Sequence, residues 1–213
     1  MSKNFYVLDG IELVESFQSN LCWAACLEVI HKLIKSNTPK DFQIKAVNKY
    51  KNSSCFSEPR TQETNLPLPE SCLEPIYEGY NLNIDVIQKN SEKNNYQFYV
   101  RKLNENGLPL LVALNDIHLV IVCGYGDCDG YDYLMVIDPS KPNNQDFWRV
   151  TDQGNFYANH KNTDLWYLKS STNNANKKEL KRIKTEPRKT DIFKFNLPPY
   201  YCLLYTSPSP RDA

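Results

Sequence analysis

Gln18-Ser19-Asn20-Leu21-Cys22-Trp23-Ala24-Ala25-Cys26 is the stretch from which the rest of the chain can be read. Ser19 and Asn20 are good N-cap residues, because their short side chains accept from the orphan N–H groups of a first helical turn. Beyond them Cys26, Val29, Ile30, Leu33 and Ile34 recur at helical spacing, so a helix is expected from Cys22 to Lys35. Cys22 then falls in the first turn of an apolar helix. The helix dipole and the unpaired N–H groups favour a thiolate there, and the thiolate is the nucleophilic form. The plain alternative is a buried cysteine that starts a core helix. Cys26, one turn on and beside Val29 and Ile30, is read that way.

Working outward, Ser36 to Pro39 ends this helix. Thr38-Pro39 is expected to open a second one, with Thr as N-cap, Pro at the first position and a face of Phe42, Ala46, Val47 and Tyr50. Residues 51 to 70 read as a loop. A helix at about 71–79, a strand at Leu82–Ile87 and a helix at Ser91–Asn106 follow. From Leu108 the period becomes strand-like: Leu108–Leu114, His118–Val122, Tyr133–Ile137, then Phe147–Val150 and Asp164–Leu168. Asn115-Asp116 and Gly124–Asp132 are expected as turns between strands. The glycines there do not make a nucleotide loop, since no helix follows them. Asp127-Cys128-Asp129-Gly130 lacks the closing Glu of a calcium loop. Residues 5 to 15 read as a short strand or an extended arm. Helices first and strands afterwards predict an α+β fold, with a helix packed on an antiparallel sheet.

The length of 213 residues suits one domain with extensions. Basic and acidic residues balance at 25 each, which excludes a globally basic protein and weakens any nucleic-acid reading, so no nucleic-acid partner is expected. The balance conceals an asymmetry: Lys169–Lys189 carries eight basic residues and two acidic ones. Residues 170–190 are expected to be a disordered or weakly helical tail. The domain is therefore drawn as 1–169, with 170–213 a basic polar tail. The final LLYTSPSPRDA resembles a translated sequencing adaptor and is set aside as non-native. No apolar run approaches a membrane span, and acids occupy the place of a signal's apolar core. Synthesis into the cytosol is the default expectation. Seven cysteines, an odd number, then favour free thiols, and the absence of any CxxC pair speaks against zinc.

A thiol nucleophile needs a base, and there are three histidines. His31 lies too far along the helix axis from Cys22, and His160 lies in a polar stretch. His118 opens the apolar run Leu119–Val122, where a strand start can aim it into a cleft. Asp138 ends Leu134–Ile137 and precedes Pro139, a suitable place for an acid that orients the ring. Asp116 is the rival acid. Gln18 is the candidate side-chain donor to an oxyanion.

QSNLCWAAC, NGLPLLVAL, HLVIVCGY and VIDPS, in this order and spacing, resemble the papain-like cysteine peptidases over roughly residues 13 to 168. The nearest branch is the compact bacterial type, which includes secreted effector proteases and is related to double-glycine-leader peptidases. The resemblance implies a papain-like fold in which an N-terminal nucleophile helix packs on an antiparallel sheet. By position it makes Cys22 the nucleophile, His118 the base and Asp138 the orienting acid. The family's oxyanion glutamine stands six residues before the cysteine, where this chain has Ser16; Gln18 stands four before. The implied activity is peptide hydrolysis through a thioester, with a protein or peptide substrate and no metal or cofactor. The alternatives are a deamidase or transglutaminase-like acyl transferase, and a non-catalytic binding scaffold. Membership would also admit non-classical secretion as an effector.

Overall fold

The computed structural model describes residues 4–18, 20–35, 37–51, 53, 72–82, 84–87, 96–114, 118–140, 145–150, 162–168 and 178–183. Among the described residues there are four helices and eight strands, with three helices in succession after the first strand and six strands in succession at the end. In order these are β1 (Asn4–Leu8), α1 (Cys22–Ile34), α2 (Phe42–Tyr50), α3 (Leu73–Glu78), β2 (Ile84–Ile87) and α4 (Tyr96–Asn106). Then come β3 (Leu110–Leu114), β4 (His118–Cys128), β5 (Tyr131–Ile137), β6 (Gln145–Arg149), β7 (Asn162–Leu168) and β8 (Leu180–Ile183). The strands form one sheet in the order β2-β7-β3-β4-β1-β8, with β5 on β4 and β6 on β5. Every pairing within it is antiparallel. Helices and an antiparallel sheet in one chain agree with the expected α+β class.

α1 begins at the residue expected from its periodicity. Every residue from Cys22 to Ile30 is buried, Trp23 completely. A helix apolar all round over its first turns has to lie inside the protein. Its N-cap is Leu21, with no side-chain cap hydrogen bond; the turn before it closes by Leu21 N–H to the Gln18 carbonyl at 3.1 Å. The expected caps, Ser19 and Asn20, stand just outside. α2 starts at Phe42, later than Thr38-Pro39 suggested. Thr38 gives its hydroxyl to the His31 ring, 2.8 Å from Nδ1, and so does not cap a helix.

β4 is longer than expected and organises the sheet. Its first half pairs with β3 (Leu114 opposite His118), and its second half with β1 (Val7 opposite Gly124). Its other edge takes β5, with a register shift at Cys123 where the first edge changes partner. Gly124 and Gly126 therefore lie in a strand, not in the expected turn. A Cβ at Gly124 would run into the Tyr6 carbonyl, and one at Gly126 into the Phe5 ring, as β1 crosses over. The turn proper is Asp129-Gly130, with φ of 53° and 78°, the left-handed pair that suits a two-residue hairpin.

The basic segment also departs from expectation. Leu180–Ile183 is neither disordered nor helical but forms β8, which pairs with β1 (Leu8 opposite Leu180, Phe5 opposite Ile183). Its approach is fixed by Asp9 N–H to the Glu179 carbonyl and Lys178 N–H to the Gly107 carbonyl, both 2.9 Å. Lys181 pairs with Asp9 at 2.8 Å. A strand of the sheet thus lies beyond residue 169, where the domain limit was drawn. Residues 184–213 of the tail, with the final stretch, lie outside the described residues. No helix among the described residues is long and apolar enough to cross a membrane.

Candidate active site

His118 is the first residue of β4, and Asp138 follows the last residue of β5. The β4–β5 register ends with Ile121 opposite Ile137. Continued one step, it sets Asp138 across from Val120, two residues from His118. Alternation along a strand then puts both side chains on one face as diagonal neighbours. They meet: the His118 Nε2–H donates to Asp138 Oδ1 at 2.7 Å. Asp138 is 5% exposed. The same oxygen accepts the Ser140 N–H at 3.0 Å and the Ser140 hydroxyl at 2.6 Å. Burial alone would push the Asp138 carboxyl up. The His118 hydrogen bond and charge, with the two Ser140 donors, outweigh it and hold the carboxyl well below the usual carboxylate range.

α1 reaches this corner through Cys26, whose thiol points at the Leu119 carbonyl, 3.5 Å away. Burial pushes the Cys26 thiol well up, and the Asp138 charge adds to the effect, so Cys26 is a neutral core thiol as expected. Cys22 lies one turn earlier on the same helix face, about 6 Å along the axis. Ahead of it, the Ser16 N–H donates to the Pro139 carbonyl at 2.7 Å, and the Ser16 hydroxyl to the Gln18 carbonyl. The segment leading into α1 is thereby tied to the residue after Asp138. Gln18 is half-buried in the turn between them. On the far side the Tyr77 hydroxyl of α3 donates to the Trp23 carbonyl at 3.5 Å.

The sulfur chemistry corrects one expectation. Cys22 and Cys72 are each disulfide-bonded. Cys26, Cys123 and Cys128 are buried and take part in no disulfide. Cys55 and Cys202 lie outside the described residues. A disulfide sulfur has no thiolate form, so Cys22 as it stands here is not a nucleophile. Nothing in the spacing of seven cysteines could have shown this, because connectivity is not a property of spacing.

The other candidates fall as follows. His31, the tenth residue of α1, bonds Thr38 and packs against the rings of Phe42 and Tyr80, with centroids 4.8 and 6.0 Å away. Asp116 and His160 lie outside the described residues. No group of three or more His, Cys, Asp or Glu side chains among the described residues is arranged to hold a metal ion. Ser140 was in plain view in VIDPS without a role assigned to it. Its signal was the Asp-Pro-Ser spacing, which puts an N–H and a hydroxyl two residues beyond a carboxylate.

No family model matches this sequence, and no curated protein matches it. Among solved structures it is similar to the crystal structure of UfSP from C. elegans, with a TM-score of 0.45 and 10% identity. The match covers 76% of this chain and 33% of that one, so this chain spans about a third of the other's length. Nothing about activity follows from a likeness of that size.

Proposed function

We propose that the chain is a cysteine-dependent peptidase of the papain-like kind, with Cys22 as nucleophile, His118 as base and Asp138 as the acid that orients the ring. The observation that carries the reading is the His118–Asp138 pair at 2.7 Å, with the acid buried, next to where Cys26 of α1 meets Leu119 of β4. With Nε2 committed to the carboxylate, Nδ1 is the nitrogen left to exchange a proton with a thiol. The reduced Cys22 thiol gives its proton to Nδ1, and the thiolate attacks the scissile carbonyl. The imidazolium protonates the leaving amine, and water resolves the thioester. Backbone N–H groups at the start of α1, with the Gln18 amide beside them, are the proposed donors to the oxyanion.

The disulfide makes reduction the first step. The thiolate of a dithiol reductant attacks the sulfur bonded to Cys22, and Cys22 leaves as a thiolate. The reductant's second thiol then closes on the mixed disulfide and frees the partner cysteine. Two electrons pass from the dithiol, which ends as a disulfide. Disulfides persist in oxidising compartments, so the bonded cysteines fit secretion better than the cytosolic default.

The bonded Cys22 is also the one observation that favours the scaffold reading, in which the sulfur is structural. Incubation with an epoxide cysteine-peptidase inhibitor, before and after dithiothreitol, followed by peptide mapping, separates the two. Labelling confined to Cys22 and seen only after reduction supports the enzyme. No labelling at Cys22 in folded, reduced protein supports the scaffold. Ammonia release without backbone cleavage would assign the same residues to a deamidase.

A further inference from the structure

We propose that Ser140 is a positioning residue, whose hydroxyl and N–H hold the Asp138 carboxylate turned so that Oδ1 faces the His118 ring. The inference rests on the reading of His118 as the base and extends it to a residue that touches neither thiol nor substrate.

Three donors converge on one oxygen: His118 Nε2 at 2.7 Å, Ser140 Oγ at 2.6 Å and Ser140 N at 3.0 Å. A carboxylate that accepts the N–H two residues on forms a turn closed by its own side chain. Pro139, the residue between, has its φ fixed by the ring and so narrows the alternatives. The carboxylate could rotate about its last bond; two donors from one residue prevent it. The acid is nearly sealed from water, so donors that it loses are not replaced by solvent.

The chemistry of the donors matters as well. Among the described residues, the titratable groups facing Asp138 are His118 from β4 and the Cys26 thiol from α1. A lysine or arginine in place of Ser140 would also hold the carboxylate, but it would neutralise the charge that stabilises the imidazolium. A serine fixes the anion and leaves its charge for the ring. The anion keeps the ring proton on Nε2 and the Nδ1 lone pair open to the thiol. Loss of the hydroxyl weakens what opposes burial. The carboxyl then rises from well below the usual range but stays an anion, and what it loses is its fixed orientation toward the ring.

The test uses the full, reduced chain with Ser140→Ala and Ser140→Thr. Thr keeps both donors; Ala keeps only the N–H. Ser140→Ala is expected to slow epoxide labelling of Cys22 about tenfold, and Ser140→Thr to restore it. An unchanged labelling rate in Ser140→Ala would overturn the proposal, even if the melting temperature fell, because a merely structural serine would do just that. The nitrogen resonances of His118 supply a readout independent of turnover. A shift in tautomer population in Ser140→Ala supports the role and an unchanged spectrum overturns it, whether or not the protein cleaves any peptide.

Discussion

Two histidines of this fold are held by different partners. His118 meets a buried carboxylate at 2.7 Å. His31 meets a neutral hydroxyl at 2.8 Å and two aromatic rings. Both are partly buried and well held. Burial and then the Lys35 charge lower the His31 pKa, with Glu28 opposing, so its charged form is disfavoured. For His118 the partner is an anionic carboxylate. The contrast teaches that a fixed imidazole is common in a fold, whereas a fixed imidazole with a carboxylate behind it is a candidate catalyst.

The largest expected effect tests that contrast directly. His118→Ala should lower labelling or turnover at reduced Cys22 by about a hundredfold or more, the usual range for a lost general base. His31→Ala should leave it within about twofold and cost about 1 kcal/mol of folding stability through the lost Thr38 bond. Steady-state rates beside urea melts give both numbers. The reverse ranking would assign the base to the wrong histidine.

Next in size is the acid. Asp138→Ala is expected to reduce the rate by about tenfold to a hundredfold. Asp138→Asn should reduce it less, because an amide oxygen still accepts the Nε2 proton. Thr38→Ala, the matching change at His31, should not alter the rate at all. If Asp116→Ala proved more damaging than Asp138→Ala, the acid would have to be reassigned.

The smallest effect is on stability. A histidine whose folded pKa lies below its unfolded value of about 6.5 contributes fully above that value and loses its contribution as the pH falls below it. Wild type should therefore melt at progressively lower temperature from about pH 6.5 downward, and His31→Gln should flatten that part of the curve. Equal slopes for the two proteins would mean that His31 carries its charge in the fold.

The parts of this fold that could be read from sequence are those whose causes are local. α1 was legible because its apolar spacing is its own. The strand starts at His118 and the acid at Asp138 were legible because each stands at the edge of an apolar run. The departures have distant causes. Gly124 and Gly126 look like turn residues, but they serve the crossing of β1, more than a hundred residues earlier in the chain. β8 is polar because it lies at an edge of the sheet and shows two of its residues to solvent, so its period resembles that of a tail. Thr38 looks like a cap, but its hydroxyl is engaged with a ring on another helix. The pairing of His118 with Asp138 was legible in this way. The bond on Cys22 and the part played by Ser140 needed three dimensions.

The pairing of β8 with β1 has a consequence for how the protein is handled in solution. An uncovered strand offers a row of N–H and C=O groups to any other chain, and sheets that end this way tend to grow into aggregates. Here the place beside β1 is taken by a short strand with Lys181 and Arg182 exposed. Cutting the chain at 169 would remove that guard and leave Phe5–Leu8 ready to recruit a second molecule, even where the active corner remained intact. A chain cut at 169 is thus expected to aggregate more readily than one cut beyond Ile183, as light scattering of the two would show.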